Sequence, residues 1–180
     1  MQYDDKAIRA LLDKKAIEEV LVRYCRGADR GDADLIASAY HDDAVEDHGG
    51  TFLGSARDYL DLLRKVLPAA GRMSHAITNM LVELEDDTQA TSECYILTFS
   101  RRGEGEDGYD SLTMARLIDK FEKRDGEWRI AHRRLAWEWN HEMPIRETWG
   151  RGMIAPDPDS LIRGGKVPDD ILYNFSFGRD

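Results

Sequence analysis

The spacing of apolar residues changes once along this chain, and that change limits the folds available to it. In the first third, apolar side chains recur every three or four residues, the period of a helix that buries one face. From Met80 onward they alternate with polar residues, the period of a strand with one buried face. Helices followed by a run of strands are typical of an α+β fold.

Three helices are predicted before the change of period. The first begins near Asp5, and Asp32 suits the N-cap of the second. The second is expected to end at residues 41–43, His-Asp-Asp. Residues 45–52 contain a Gly-Gly pair and predict a short hairpin. Ser55, with an aspartate three residues later, then caps the third helix.

Four strands are predicted after the helices, over residues 80–84, 89–100, 111–123 and 128–139. The Asp-Gly pair at 125–126 is a hairpin signal between the last two. A curved mixed or antiparallel sheet of such strands, wrapped around three N-terminal helices, forms a cone-shaped α+β barrel with an open mouth.

Composition narrows the class of protein. A chain of 180 residues fits one domain, and 33% charged with 42% hydrophobic residues indicates a globular protein. A net charge of -10 argues against a nucleic-acid partner. No segment has the roughly 18 apolar residues of a membrane span, and no signal peptide is evident, so we expect a cytoplasmic protein without a membrane partner. Cys25 and Cys94 are expected to be unpaired core residues.

The last part of the chain has a different character. Residues 141–180 contain four prolines and no clear period, but they are too apolar for a free linker. We therefore predict a domain over residues 1–140 and a C-terminal extension over 141–180. The extension is expected to pack on the body, over a pocket mouth, or on a neighbouring subunit.

Asp29 and His75 are the residues most suggestive of chemistry. Asp29 lies near the end of the first helix, and His75 precedes the strands. Histidine suits proton transfer because its pKa of about 6.5 is close to working pH. A carboxylate on its other nitrogen would fix the tautomer. If the fold does not bring the two together, His75 is an ordinary residue at a strand edge.

Several stretches resemble the SnoaL-like group of the nuclear transport factor 2-like superfamily, over roughly residues 4–140. They are AIEEVLVRYCRGADRGD in the first helix, YHDDAV after the second, SHAITN into the sheet, and FEKRDGEWRIAHRRL across the last hairpin. The resemblance implies the cone-shaped fold. It leaves the reaction open, because the superfamily contains enzymes, subunits and binding proteins.

Three lyases of the superfamily have a similar site: scytalone dehydratase, hexachlorocyclohexane dehydrochlorinase and bile acid 7α-dehydratase. The resemblance places Asp29 and His75 at their aspartate and histidine, and Tyr24 at the tyrosine of the bile-acid enzyme. Arg133, five residues after Trp128, resembles an arginine of the dehydrochlorinase. The second histidine of scytalone dehydratase has no counterpart. By this resemblance His75 is the base, Asp29 orients it, and Tyr24 and Arg133 are electrophilic helpers.

Some assignments stay open at this stage. Strand alternation lets only one of Arg133 and His132 face the interior. Further candidates for substrate contact are His48, Tyr40 and Trp137. The clusters at residues 41–43 and 47–48 resemble metal ligands, but adjacent residues in a loop point apart, so no metal is expected. The expected site needs no organic cofactor.

The expected function is a cofactor-independent lyase or isomerase acting on an apolar, ring-containing small molecule. A ligand-binding protein with a vestigial dyad is an alternative. Another is the small subunit of an aromatic-ring-hydroxylating dioxygenase. A homo-oligomer, dimer or trimer, is expected because one face of the sheet needs cover. Trp137 and Trp139, which alternation places on one face, could provide it.

Overall fold

The computed structural model describes residues 4–103, 105–147 and 161–174. Two short 3₁₀ turns accompany its helices and strands. In chain order the elements are α1 (Asp5–Arg30), α2 (Ala33–Ala37), β1 (Tyr40–Asp47), β2 (Leu53–Ser55), α3 (Ala56–Val66), β3 (Met73–Leu84), β4 (Gln89–Arg102), β5 (Tyr109–Arg124), β6 (Glu127–Pro144) and α4 (Ile171–Asn174).

The strands form one sheet in the order β2-β1-β6-β5-β4-β3. β3 to β6 make an antiparallel meander, whereas β1 pairs with β6 in parallel. The last three strands run for 14, 16 and 18 residues, and their twist and bulges curve the sheet around the helices. The prediction of an α+β fold with helices packed on a curved mixed sheet is confirmed.

The first helix forms the wall opposite the sheet. Asp4 caps its start by accepting a hydrogen bond from the Lys6 backbone N–H at 2.9 Å. Gly31 ends it with a left-handed φ of 67°, a conformation that glycine adopts without steric cost. The apolar stripe between Ile17 and Ala28 is buried. Asp29 therefore lies in the last turn, beside the sheet.

The second helix is shorter than predicted. It ends at Ala37, and residues 41–43 lie in β1 instead. The cause is a tertiary pairing. Tyr40 joins the parallel ladder with β6, and His41 Nε2 donates to the Glu122 carbonyl oxygen at 2.9 Å. Pairing with distant residues overrides the local helical pattern.

The third strand begins earlier than predicted, at Met73. His75 is thus inside β3, opposite Thr98 of β4. Asn79 has a φ of 40°, and the register shifts once across it, between Thr78 and Leu81. Such a bulge interrupts the alternation of faces. The period of two is readable in the sequence only beyond the bulge.

A second bulge separates Trp137 and Trp139, which were expected to share a face. The ladder pairs Trp137 with Ala115 and Trp139 with Met114, so Glu138 is the extra residue. Residues paired across an antiparallel ladder project on the same side, and adjacent residues of one strand project on opposite sides. The bulge therefore interrupts the alternation on which the expectation of a shared face rested, although both tryptophans line the cavity described below.

Both cysteines are buried with free thiols, as expected. Burial raises the pKa of Cys25 to about 12 and that of Cys94 to about 11. Because the thiolate is the reactive form of cysteine, both residues act as small core side chains.

Part of the C-terminal extension contacts the end of α1. The Val167 N–H donates to the Arg30 carbonyl oxygen at 2.8 Å, and the Arg30 guanidinium lies 3.4 Å from the Asp170 carboxylate. The Tyr173 hydroxyl donates to Asp32 at 3.1 Å. Residues 148–160 and 175–180 lie outside the described chain, so packing of the whole extension stays a prediction. No helix among the described residues is long and apolar enough to cross a membrane.

The contact between α1 and α2 leaves no room for a side chain at Gly27. A Cβ there would lie 2.6 Å from Ile36 Cγ1 and 2.9 Å from the Asp32 carbonyl oxygen. We expect Gly27→Ala to lower the free energy of unfolding by about 1–3 kcal/mol, as overpacking does. The measurement is urea unfolding followed by circular dichroism. Gly164→Ala is the control, because the nearest atom to its Cβ lies 3.8 Å away. An unchanged midpoint for Gly27→Ala would show that α2 moves aside freely.

Candidate active site

An open cavity of about 1070 Å³ lies between the helices and the sheet. Helices α1 and α3 form one wall, and β3 to β6 form the other. This volume is at the upper end for small-molecule sites and could hold several fused rings. The wall is mainly apolar and aromatic, with Tyr24, Tyr59, Leu63, Val66, Leu67, Met73, Ile96, Leu117, Leu135 and Trp137 among its residues.

The structure brings Asp29 and His75 together at this cavity. His75 Nδ1 lies 2.6 Å from Asp29 Oδ1, and the His75 backbone N–H donates to Asp29 Oδ2 at 3.2 Å. An ionised carboxylate only accepts, so Nδ1 carries a proton. The His75 ring lines the cavity, and its Nε2 has no hydrogen-bond partner among the described residues. A neutral ring held this way presents Nε2 as a proton acceptor.

The position of β3 explains why one carboxylate can hold His75 at two points. β3 is an edge strand, so only β4 pairs with it. N–H groups on the open side of an edge strand have no ladder partner. Asp29, in the last turn of α1, accepts one of them together with the ring N–H. Strand and side chain are thereby fixed relative to the helix.

Tyr24 lies on the same helix as Asp29, five residues before it. Its hydroxyl is 3.2 Å from the Tyr59 hydroxyl, and both residues line the cavity. Burial, reinforced by the Glu46 carboxylate, raises the pKa of Tyr24 to about 12, although Arg133 opposes the shift. The phenol is therefore protonated at neutral pH and can donate a hydrogen bond to a substrate oxygen.

Arg133 faces the interior but does not reach the cavity. Its side chain is fully buried, and Nε and Nη2 each donate to Asp119 at 2.8 Å. Its guanidinium carbon lies 4.1 Å from the centre of the Tyr24 ring. Burial alone would lower the pKa of Arg133, but the Asp119 carboxylate raises it well above its usual value. The expectation that Arg133 touches a leaving group is therefore corrected: it is a buried counter-ion behind Tyr24.

Tyr40 is corrected in the same way. It is 2% exposed and does not line the cavity. Its hydroxyl donates to Glu46 Oε2 at 2.7 Å and accepts from Arg133 Nη1 at 3.3 Å. Burial raises the pKa of Tyr40 well above its usual value. Tyr40 therefore links two buried charges.

His48 and Trp137 do line the cavity. His48 Nδ1 lies 2.8 Å from Glu46 Oε1, and the His48 ring stacks on Tyr59 with centroids 5.2 Å apart. Trp137 Nε1 donates to the Gly49 carbonyl oxygen at 2.9 Å. The predicted contact residues His48 and Trp137 are therefore both part of the cavity wall.

Sequence reasoning missed Glu46 and Tyr59 as site residues. Tyr59 faces inward from α3 and lines the cavity. Glu46 is fully buried although charged. Its signal was the alternation of Ala44, Glu46 and His48 on one face of a strand, hidden because the stretch was interpreted as a helix end followed by a hairpin.

Polar groups occupy the sheet side of the cavity. Asn140 Nδ2 donates to Ser111 Oγ at 2.8 Å and to Thr113 Oγ1 at 2.7 Å. Thr98 lines the same wall. These hydroxyl and amide groups could bind oxygens of a substrate whose rings lie against α3.

A buried cation from the C-terminal segment lies near the dyad. Burial lowers the pKa of Lys166, and the Asp29 carboxylate opposes that shift. Its ammonium has no hydrogen-bond partner among the described residues. Gly31 leaves room for its side chain, since a Cβ there would lie 3.2 Å from Lys166 Cδ. Asp29 thus has the His75 ring as a partner and Lys166 as a nearby cation.

Comparison with known proteins agrees with this architecture. A model of the SnoaL-like domain matches residues 9–134. Terrestric acid biosynthesis cluster protein E of Penicillium crustosum is 31% identical over 148 residues, which cover 79% of this chain and 88% of that protein.

Solved structures show the same fold. A protein described as a candidate scytalone dehydratase, from Novosphingobium aromaticivorans, has a TM-score of 0.69 at 20% identity, over 78% of this chain and 93% of that one. Hexachlorocyclohexane dehydrochlorinase LinA-type3 of Novosphingobium barchaimii has a TM-score of 0.66 at 21% identity, over 77% and 94%. At such identities the likeness concerns the fold alone. The match over residues 9–134 and the fungal relative confirm the resemblance seen in the sequence, and the chain belongs to the SnoaL-like domain family.

Proposed function

We propose that this protein is a cofactor-independent lyase that removes a small leaving group from an apolar, ring-containing molecule. One observation carries the proposal: His75 Nδ1 and Asp29 Oδ1 are 2.6 Å apart, with the free side of the ring at an open apolar cavity. A vestigial dyad in a binding protein has no need for this geometry. Catalytic dyads do need it.

The chemistry follows from the atoms available. His75 Nε2 removes a proton from a carbon beside a ring carbonyl, and Asp29 stabilises the imidazolium that forms. The protonated Tyr24 hydroxyl donates to the enolate oxygen as negative charge develops there. The electron pair then forms the carbon–carbon double bond as the leaving group departs from the adjacent carbon.

The substrate class follows from the wall of the cavity. Aromatic and aliphatic side chains suit fused rings, and the polar groups around Asn140 suit carbonyl or hydroxyl oxygens. A relative named for a biosynthesis cluster and neighbours described as a candidate dehydratase and a dehydrochlorinase support elimination from a small molecule. Fused-ring β-hydroxy ketones combine these features.

A substrate panel in D₂O tests the proposal. β-Hydroxy ketones of one to four fused rings are incubated with the protein and no added cofactor, and products are analysed by mass spectrometry. We expect loss of water from at least one ketone and deuterium uptake beside its carbonyl. Both should fall by about 10²–10⁴-fold in His75→Ala, while the melting temperature stays within a few degrees. If the wild-type protein binds these ketones and leaves them unchanged, it is a binding protein instead.

A further inference from the structure

The cavity contains a second histidine held by a carboxylate. His48 Nδ1 lies 2.8 Å from Glu46 Oε1, a distance close to that of the His75–Asp29 pair. An ionised carboxylate can only accept hydrogen bonds, so the hydrogen on Nδ1 points at Glu46 and Nε2 lies on the other side of the ring. Among the described residues, His48 Nε2 has no hydrogen-bond partner. The arrangement of His75 is thus repeated at another point of the same cavity.

Glu46 is held more rigidly than a surface carboxylate. It is fully buried, and its second oxygen accepts from the Tyr40 hydroxyl at 2.7 Å. Tyr40 in turn accepts from Arg133, which is clamped by two bonds to Asp119. A continuous chain of hydrogen bonds therefore runs from the core to His48. A buried polar group without a hydrogen-bond partner destabilises the folded state. The groups of this chain bond to one another, and the chain ends at His48 beside the cavity.

The charged groups along this chain differ from those around His75. Asp119 and Glu46 contribute two acidic side chains to this chain, and Arg133 contributes one basic side chain. The acidic side chains therefore outnumber the basic one, and His48 adjoins the end of the chain at Glu46. Around His75 the balance differs, because Lys166 of the C-terminal segment lies beside Gly31, two residues after Asp29. Two histidines in different charge environments are suited to opposite roles, one as acid and one as base.

We propose that His48 is a second catalytic residue, which protonates the leaving group while His75 removes the carbon-bound proton. The assignment rests on the proposed lyase function. Glu46 acts through His48 and is a positioning residue. The Tyr59 ring stacks on His48, and its hydroxyl lies 3.2 Å from the Tyr24 hydroxyl.

The step balances without any further reagent. A carbon-bound proton moves to His75 Nε2, and its electron pair becomes the new double bond. The carbon–oxygen bond breaks with its electrons on oxygen, and the proton on His48 Nε2 moves to that oxygen, which leaves as water. His75 ends protonated and His48 neutral, and solvent restores both. No oxidation or reduction occurs.

Leaving groups of different basicity separate the two histidines. Hydroxide needs a proton in order to leave, whereas acetate leaves without one, and exchange of the carbon-bound hydrogen needs only the base. The probes are 3-hydroxy-1-decalone and its acetate ester in D₂O. We expect His48→Gln to slow loss of water by about 10²–10⁴-fold, and to slow loss of acetate and exchange far less. His75→Ala should slow all three.

Glu46→Gln tests the positioning role. It keeps the size of the side chain and removes the charge, so loss of water should fall while loss of acetate is largely kept. A purely structural effect would lower both together. His141→Gln makes the same replacement as His48→Gln on an exposed histidine away from the cavity, and should leave all three rates unchanged.

The outcomes distinguish the two proposals. If the wild-type protein catalyses neither exchange nor elimination, the lyase function is wrong and the role of His48 falls with it. Suppose instead that the wild-type protein catalyses both, and that His48→Gln eliminates water from the hydroxy ketone as fast as the wild type does. His48 is then not the acid, and the lyase function stands. If His48→Gln slows the elimination of water and the elimination of acetate by the same factor, the acid role is likewise rejected.

Discussion

Asp29→Asn is expected to lower the rate of elimination by about 10⁴-fold, the upper end of the loss expected for His75→Ala. The change removes one charge and keeps the number of heavy atoms in the side chain. Asp29 Oδ2 accepts from the His75 backbone N–H at 3.2 Å, which an asparagine oxygen can still do. The amide NH₂ then replaces Oδ1, 2.6 Å from ring Nδ1.

Replacing the acceptor Oδ1 by a donor NH₂ reverses the tautomer of the His75 ring. An NH₂ group facing Nδ1 forces that nitrogen to accept, so the ring proton moves to Nε2. Nε2 is the atom that has to take the substrate proton, and in this tautomer it cannot. The geometry stays nearly intact while the base is lost.

Two measurements check the prediction. Rates on an active ketone of the panel give the loss of activity, and ¹⁵N spectra of the ring give the tautomer. Asp32→Asn is the matched control, because Asp32 is the N-cap of α2 and asparagine caps as well as aspartate. A variant that keeps wild-type rates with an inverted tautomer would remove His75 from the mechanism.

Arg133→Met is expected to lower the free energy of unfolding by about 3–5 kcal/mol. The side chains of Arg133 and Asp119 are both fully buried, with 0% of their surface exposed to water. Removing the guanidinium leaves the Asp119 carboxylate buried without its counter-ion and takes a donor from Tyr40. Methionine fills much of the space, so the lost charge dominates the effect.

Chemical denaturation measures this loss, and two further variants test its cause. Arg134→Met removes a neighbouring arginine that is 63% exposed and paired with Asp47, and should change stability by less than about 1 kcal/mol. Arg133→Met combined with Asp119→Leu removes both charges and should recover about half of the loss. If the double variant is less stable than Arg133→Met, charge pairing is not the reason that Arg133 is needed.

The sequence predicted the fold class well because its signals were local. The helical stripe of α1 and the alternating face of β4 reflect burial within single elements, which periodicity reports directly. Boundaries were less accurate where distant strands decide them. Residues 41–43 became part of β1 because β6 pairs with it, and the start of β3 was obscured by the bulge at Asn79.

For the site, the sequence alone supplied the residue types and, through family resemblance, the pairing of Asp29 with His75. Only the tertiary structure showed that Arg133 and Tyr40 lie behind the cavity wall, because depth within a core depends on neighbours from four different elements. It also revealed Glu46 beside His48, since a buried carboxylate has no signature until its partners are assembled. Periodicity determines which face a residue occupies; packing decides whether that face meets solvent, substrate or another charge.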